Sequence, residues 1–265
     1  PGYYLGSCWE GTYGTNYYEM AGAAQGEPVR LVPSETWGSD FLVPADAEMI
    51  IECEVDWNER IEEGPVGEHT RHYKNFKGGV VTQQLDPKLT PLVITHRSDA
   101  YYQSLFIGHA EHCLLGSIPK EAVIYEKVRA TCPGIKAVHM TPGGCGRYIC
   151  YLSLKQRVGG EARDAMMAAF VCDWHLKYVI AVDEDVDVFS DSEVLWALAT
   201  RTQPDRATFV IPGAMGATVD PTVDSRTKIS AKMGIDCTKP YGVPFSEVCE
   251  VPLDALAKMR IEDYL

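Results

Sequence analysis

The chain has 265 residues, 46% of them hydrophobic and 23% charged, the proportions of a folded globular protein, which exclude a disordered segment, a collagen-like repeat and a coiled coil. Its 24 Lys and Arg against 37 Asp and Glu leave a formal charge of −13, and the basic residues are scattered, which excludes the basic footprint of a nucleic-acid binder. The length allows one large domain or two small ones, and no apolar run reaches the ~20 residues of a membrane span.

Nine cysteines with no CxxC and no Cys/His zinc spacing fit a reduced, cytoplasmic protein better than a disulfide or zinc framework. The opening Pro1 runs directly into Tyr3-Tyr4-Leu5-Gly6, which reads as the middle of a domain, so the expectation is the later part of a longer protein. In chain order, residues 17–30 read as a helix with Thr15 or Asn16 as N-cap and Gly26 and Pro28 at its end, followed by a strand at 29–32 that Pro33 closes. The mixture Glu48-Met49-Ile50-Ile51-Glu52-Cys53-Glu54-Val55 reads as a half-buried strand. Residues 57–69 read as a loop, and 79–84 and 91–97 as β-rich runs on either side of a proline turn.

After Ser98 the pattern changes to alternating helix and strand. Helix 119–131, strands 136–140 and 148–154, helix 160–175, buried strand 177–182, helix 192–201 and strand 208–211 together predict helices packed on a sheet. From Gly213 onward the Gly, Pro, Asp and Thr content predicts an interaction or lid tail and not a core element, up to a final helix at 253–260.

The sharpest chemical signal is Glu62-Glu63-Gly64-Pro65-Val66-Gly67-Glu68-His69. Two glycines and a proline fix a tight loop that presents carboxylates 63 and 68 to one space, an arrangement suited to one ion-pairing group and one proton donor. On the residues alone a solvated acidic turn is the commoner outcome. Asp183-Glu184-Asp185 after an apolar strand has the look of a DxD metal site at a sheet's carboxyl edge, where ligands often bind, but no nucleotide signature accompanies it and a structural role is preferred. His109-Ala110-Glu111-His112 sets two imidazoles at i, i+3 without an obvious third metal ligand. His69 and His72 read as hydrogen-bonding or surface groups. Pro142-Gly143-Gly144-Cys145-Gly146 reads as a turn before a strand and not as a phosphate loop, since no Lys-Ser/Thr and helix follow.

Glu63-Gly64-Pro65-Val66-Gly67-Glu68-His69 resembles the active-site loop of the UbiD family of prenylated-FMN-dependent decarboxylases. Further segments resemble the family in the same order: Tyr18-Glu19-Met20-Ala21-Gly22-Ala23-Ala24-Gln25-Gly26, Leu42-Val43-Pro44-Ala45-Asp46-Ala47-Glu48, Val182-Asp183-Glu184-Asp185-Val186-Asp187 with Val194–Arg201, and Lys232-Met233-Gly234-Ile235-Asp236-Cys237. The resemblance spans nearly the whole chain. It implies an α/β (α+β) fold: the rest of a split β-barrel flavin-binding domain over 1–98, a linker over 99–118, an α/β oligomerisation domain over 119–235 and a C-terminal tail over 236–265.

Carried over by position, the resemblance makes Glu19 a ligand of a divalent metal, manganese with potassium as a second ion, that ties the cofactor phosphate to the protein. A hard carboxylate oxygen suits such a cation. It makes Glu63 the partner of a catalytic arginine and Glu68 the acid that exchanges a proton with the substrate carbon. Val66 stands where many relatives have an aromatic. Gly108-His109-Ala110 stands where many have Gly-Arg-Pro, which assigns His109, with Leu115, to the substrate pocket. The family's arginine and its Asn and His metal ligands precede Pro1, so they are expected from an N-terminal region or a separate N-terminal subunit.

The implied reaction is reversible non-oxidative decarboxylation of an aromatic, heteroaromatic or α,β-unsaturated carboxylic acid with prenylated FMN. A flavin prenyltransferase would supply the cofactor, and the chain would assemble as a homodimer or hexamer without nucleic acid or membrane partners. Two other readings stay open: a metal-dependent nucleotide-sugar transferase using Asp183 and Asp185, and a non-catalytic assembly module built on the Met-rich helix at 163–172.

Overall fold

In the computed structural model, residues 14, 16–62, 75–76, 79–80, 85–106, 108–217, 219–223, 227–260 and 262 are described. Helix α1, Tyr17–Gln25, begins where the Asn16 side chain accepts the Tyr18 N–H at 2.9 Å and the Glu19 N–H at 3.3 Å, a satisfied N-cap. It ends earlier than the predicted 30 because Gly26 turns left-handed at φ 82°, which stops the helix. Strands β1, Leu31–Ser34, and β2, Gly38–Pro44, form an antiparallel hairpin. Pro33 lies inside β1 instead of closing a strand at 29–32, which a proline tolerates on an edge strand.

Strand β3, Met49–Glu62, pairs antiparallel with β6, Leu85–His96. Pairing of Arg60, Ile61 and Glu62 with Pro87, Asp86 and Leu85 carries β3 through the first part of the predicted loop at 57–69. Pro87 and Pro91 lie within β6, which among the described residues has β3 as its one neighbour in a two-stranded sheet, the setting that tolerates residues without an N–H. Between them, β4 (Asn75–Phe76) and β5 (Gly79–Val80) make a two-residue ladder. Buried Glu52 of β3 fastens the β1–β2 turn: its carboxylate accepts the Ser34 hydroxyl at 2.8 Å and the N–H groups of Glu35 and Thr36 at 3.0 and 2.9 Å.

The remainder builds one sheet with helices. Helix α2, Ala110–Thr131, leads to β7, Ile135–His139, then a 3₁₀ turn at Pro142–Gly144 and β8, Ile149–Leu154. Helix α3, Glu161–Cys172, connects β8 to β9, Tyr178–Asp183. There follow α4, Asp191–Arg201, the short α5, Pro204–Ala207, β10, Thr208–Met215, β11, Ile229–Cys237, and a short α6, Leu253–Leu256. The strand order is β10-β11-β9-β8-β7. The three middle strands run parallel, and β7 and β10 are antiparallel edges.

Two predictions are corrected here. Helix α2 starts at Ala110, well before 119, and runs through Pro119. The segment after Gly213 is not a tail outside the core, since β11 sits inside the sheet between β10 and β9. Lys232 and Gly234 disguise β11. The ammonium of buried Lys232 donates to the Leu176 and Trp174 carbonyls at 2.7 and 3.1 Å, and Gly234 leaves the space that the Phe209 ring fills.

Successive residues of the middle strands point to opposite faces. Leu152, Leu154, Val179 and Ala181 join Ile124 and Val128 of α2 and Met166 and Ala169 of α3 on one face. Tyr151, Ile180 and Val182 join Val194 and Ala197 of α4 on the other. Both faces are covered, so β9 reads as an unbroken apolar run. Leu152 is 0% exposed, and Leu152→Ala is expected to lower the unfolding free energy by about 2–5 kcal/mol. Urea titration checks this, and a loss below about 1 kcal/mol would mean that the site collapses around the deletion.

Candidate active site

Glu19 lies in the first turn of α1, exposed, with its Oε1 3.4 Å from the Asn16 amide nitrogen. The Tyr18 hydroxyl donates to the Leu42 carbonyl at 3.1 Å, which ties the helix to β2. Gly22 is buried, and a Cβ there would stand 3.2 Å from the Glu27 carbonyl oxygen, so α1 lies close against the chain that follows it. Asn16, Tyr18, Glu19, Gly22 and Gly26 are among the residues lining a cleft of about 670 Å³. Among the described residues no cation pairs with Glu19, and no group of three or more His, Cys, Asp or Glu side chains is placed to hold a metal. An exposed carboxylate held by one long bond from an amide N–H has the chemistry a hard cation takes.

Glu63 and Glu68 lie outside the described residues, as do His69 and His72. Glu62, just before them, is the last residue of β3 and pairs with Leu85. His109 is the N-cap position of α2, exposed, with its ring 4.4 Å from that of Phe106. Leu115 is half-buried in the second turn of the same helix. Neither residue lines the cleft at Glu19. The second imidazole of the His109–His112 pair is turned to the backbone, since His112 Nδ1 accepts the Gly108 N–H at 2.9 Å.

Asp183 and Asp185 are committed to protein cations. Arg201 Nη1 lies 3.2 Å from Asp183 Oδ2 and 2.8 Å from Asp185 Oδ1, and Arg201 Nη2 donates to Asp185 Oδ2 at 2.9 Å. Lys239 adds its N–H to Asp183 at 2.7 Å and its ammonium to Asp185 at 2.6 Å. The Arg201 hydrogen bonds, with Lys239 beside them, pull the Asp185 carboxyl down to about 2, whereas burial pushes that of Asp183 up. The structural role preferred for the pair is the one seen, and the alternative of a nucleotide-sugar transferase's metal site is set aside, because the cation there is a guanidinium. The sequence carried the acids after the strand and an arginine closing the next helix, but nothing in it joined the two.

Residues 1–110 match the 3-octaprenyl-4-hydroxybenzoate carboxy-lyase Rift-related domain, and residues 113–237 match the C-terminal domain of the same enzymes. The chain therefore belongs to the UbiD family of carboxy-lyases. It is 35% identical over 198 residues to anhydromevalonate phosphate decarboxylase of Methanocaldococcus jannaschii, covering 75% of this chain and 45% of that protein. It is 35% identical over 250 residues to phenolic acid decarboxylase of Bacillus subtilis, covering 92% and 50%. The UbiD-class enzyme HmfF of Pelotomaculum thermopropionicum, solved with FMN, superposes with a TM-score of 0.86 at 36% identity over 99% of this chain and 57% of that one. An evolved dimeric form of HmfF, solved with prFMN, gives 0.81 at 34% identity over 99% and 55%. The chain thus spans about half the length of the relatives it matches.

The ion-pair cluster has a measurable consequence for stability. The Arg201 side chain is 1% exposed and that of Asp185 39%, so Arg201→Met is expected to fall at the low end of the about 3–5 kcal/mol lost when one partner of a buried pair is removed. Asp185 has a depressed carboxyl in the folded state, so its contribution is present above the ordinary carboxylate range and is lost as pH falls toward 2. The gap between parent and variant in chemical denaturation should therefore narrow below about pH 4. A gap independent of pH would show that the pair does not carry the loss.

Proposed function

We propose that this chain carries part of the site of a UbiD-type decarboxylase that reversibly removes CO2 from an aromatic, heteroaromatic or α,β-unsaturated carboxylic acid. The reading is carried by the likeness of nearly the whole chain to an enzyme solved with FMN and with prFMN. When bound, prenylated FMN supplies an electron sink for the carbon that CO2 leaves. Glu19, with its open carboxylate, would take manganese and through it the cofactor phosphate. Glu68 would return a proton to the vacated carbon. Glu63 would pair with an arginine from outside these 265 residues, and that arginine would hold the substrate carboxylate in register. His109 and Leu115 at the start of α2 would line the substrate pocket.

In this reading residues 1–98 serve the cofactor, 99–118 link, 119–235 assemble a dimer or hexamer in the cytoplasm, and 236–265 form the tail. No helix among the described residues is long and apolar enough to cross a membrane. The proposed division leaves the sheet on the assembly side and the acids of catalysis on the other.

Two substitutions test it in enzyme reconstituted with prenylated FMN and manganese. Glu68→Gln should reduce CO2 release and deuterium exchange at the substrate carbon by about 10²–10⁴-fold with the flavin still bound. Turnover near that of the parent would remove Glu68 from proton transfer. Glu19→Ala should lower manganese and flavin content together, and unchanged manganese by elemental analysis would contradict its role.

A further inference from the structure

The loop between β7 and β8 presses against the first turns of α2 through glycines. Gly146, at φ +60°, has no room for a side chain, since a Cβ would stand 2.7 Å from the Cys113 carbonyl oxygen. Gly116, buried on the helix, faces Arg147 so closely that a Cβ would overlap the guanidinium. Arg147 is itself 2% exposed. The loop is held from behind: Gly144 and Gly146 donate their N–H groups to the Thr141 carbonyl at 2.9 and 3.1 Å, and the Thr141 hydroxyl donates to Asp191 at 2.8 Å.

On the helix side, His112 Nδ1 accepts the Gly108 N–H at 2.9 Å. A backbone donor requires that nitrogen to be unprotonated, so the ring is neutral. Burial, and then the charge of Arg147, push the His112 imidazole below its ordinary range. An imidazole at the third helical position thus does what the Glu of a capping box does, reaching back past the N-cap. The Cys113 N–H closes the first turn on the His109 carbonyl at 2.9 Å.

We propose that Arg147 is a positioning residue. Seated on Gly116 and behind His112, it fixes the first turns of α2 and with them His109 and Leu115. A flat guanidinium on a glycine face leaves the loop a single seat, where an aliphatic side chain would pack in several. What is positioned rests on the function proposed above; the clamp itself rests on the packing.

The test uses the reconstituted enzyme with Gly116→Ala, Arg147→Ala, the double variant and His112→Ala. Each single variant should raise KM for the carboxylic acid tenfold or more, with kcat within threefold and flavin content unchanged. Each should also speed hydrogen exchange over the peptide spanning 108–116 tenfold or more. The double variant should be no worse than Arg147→Ala, because the added methyl then enters vacated space. His112 is half-buried, so His112→Ala decides the matter if an Arg147 variant fails to fold. Parent-like KM with parent-like exchange in His112→Ala and Gly116→Ala would overturn the proposal, as would additive losses in the double variant. If the parent releases CO2 from no acid, the proposed function fails, and the exchange measurement alone decides the clamp.

Discussion

Arg201 has to place a fixed positive charge where almost no water reaches it, and the upper half of the sheet domain is arranged around that requirement. A guanidinium out of solvent is tolerated only with good geometry and several acceptors. Asp183 is the last residue of β9, Asp185 follows two residues later, and Lys239 stands just beyond β11. The ends of β9, α4 and β11 therefore meet at one charge. The opposite end of α4 is held in the same manner, with Asp191 accepting the hydroxyls of Tyr151 and Thr141 at 3.0 and 2.8 Å. Between these two polar anchors Val194 and Ala197 pack on Tyr151, Ile180 and Val182. The apolar layer supplies burial, and the charges set where along the sheet the helix lies.

The N-terminal elements are held by different means. A two-stranded ribbon has no second layer of its own to bury against. Ile51, Trp57, Leu89 and Ile94 are each more than half exposed on β3 and β6. What fixes these elements is local: the β3–β6 ladder, the bonds of Glu52 to the β1–β2 turn, and the Asn16 cap and Tyr18 hydroxyl on α1. The direction in which Glu19 points is accordingly set by a helix cap, one side-chain bond and the close packing at Ala21 and Gly22.

This difference decides what the sequence could reveal. Strand β9 was legible because helices cover both its faces and leave an uninterrupted apolar run. Strand β11 was not, because its lysine and glycine are satisfied by carbonyls at 174 and 176 and by a ring at 209, distant partners that no local pattern announces. The start of α2 was placed too late because Pro119 resembles a first-turn proline, while the true cap region uses His109 and His112 in place of a Ser, Asp or Asn. At the site, Glu19 was legible only through its motif, since a lone glutamate on a helix is ordinarily surface. Asp183 and Asp185 were read as structural, but their partners lie 18 and 16 residues away at Arg201 and 56 and 54 away at Lys239.

In a chain of charge −13, the acids able to take a metal are those whose present partners are easily given up. Asp173 holds buried Lys120 at 2.6 Å, Glu161 holds Arg157 at 2.7 Å, and Asp220 holds Lys177 at 2.9 Å. Each would have to release a cation to accept a metal, and Lys120, like Arg201 beside Asp185, would then be left as a buried charge. Stranding a buried charge is far more unfavourable than losing a solvated contact. Glu19 would give up one long bond from an amide and leave no charge behind. The acids of the sheet domain are thus held by cations, whereas Glu19, on the small capped helix beside the cleft, is held by one long amide bond.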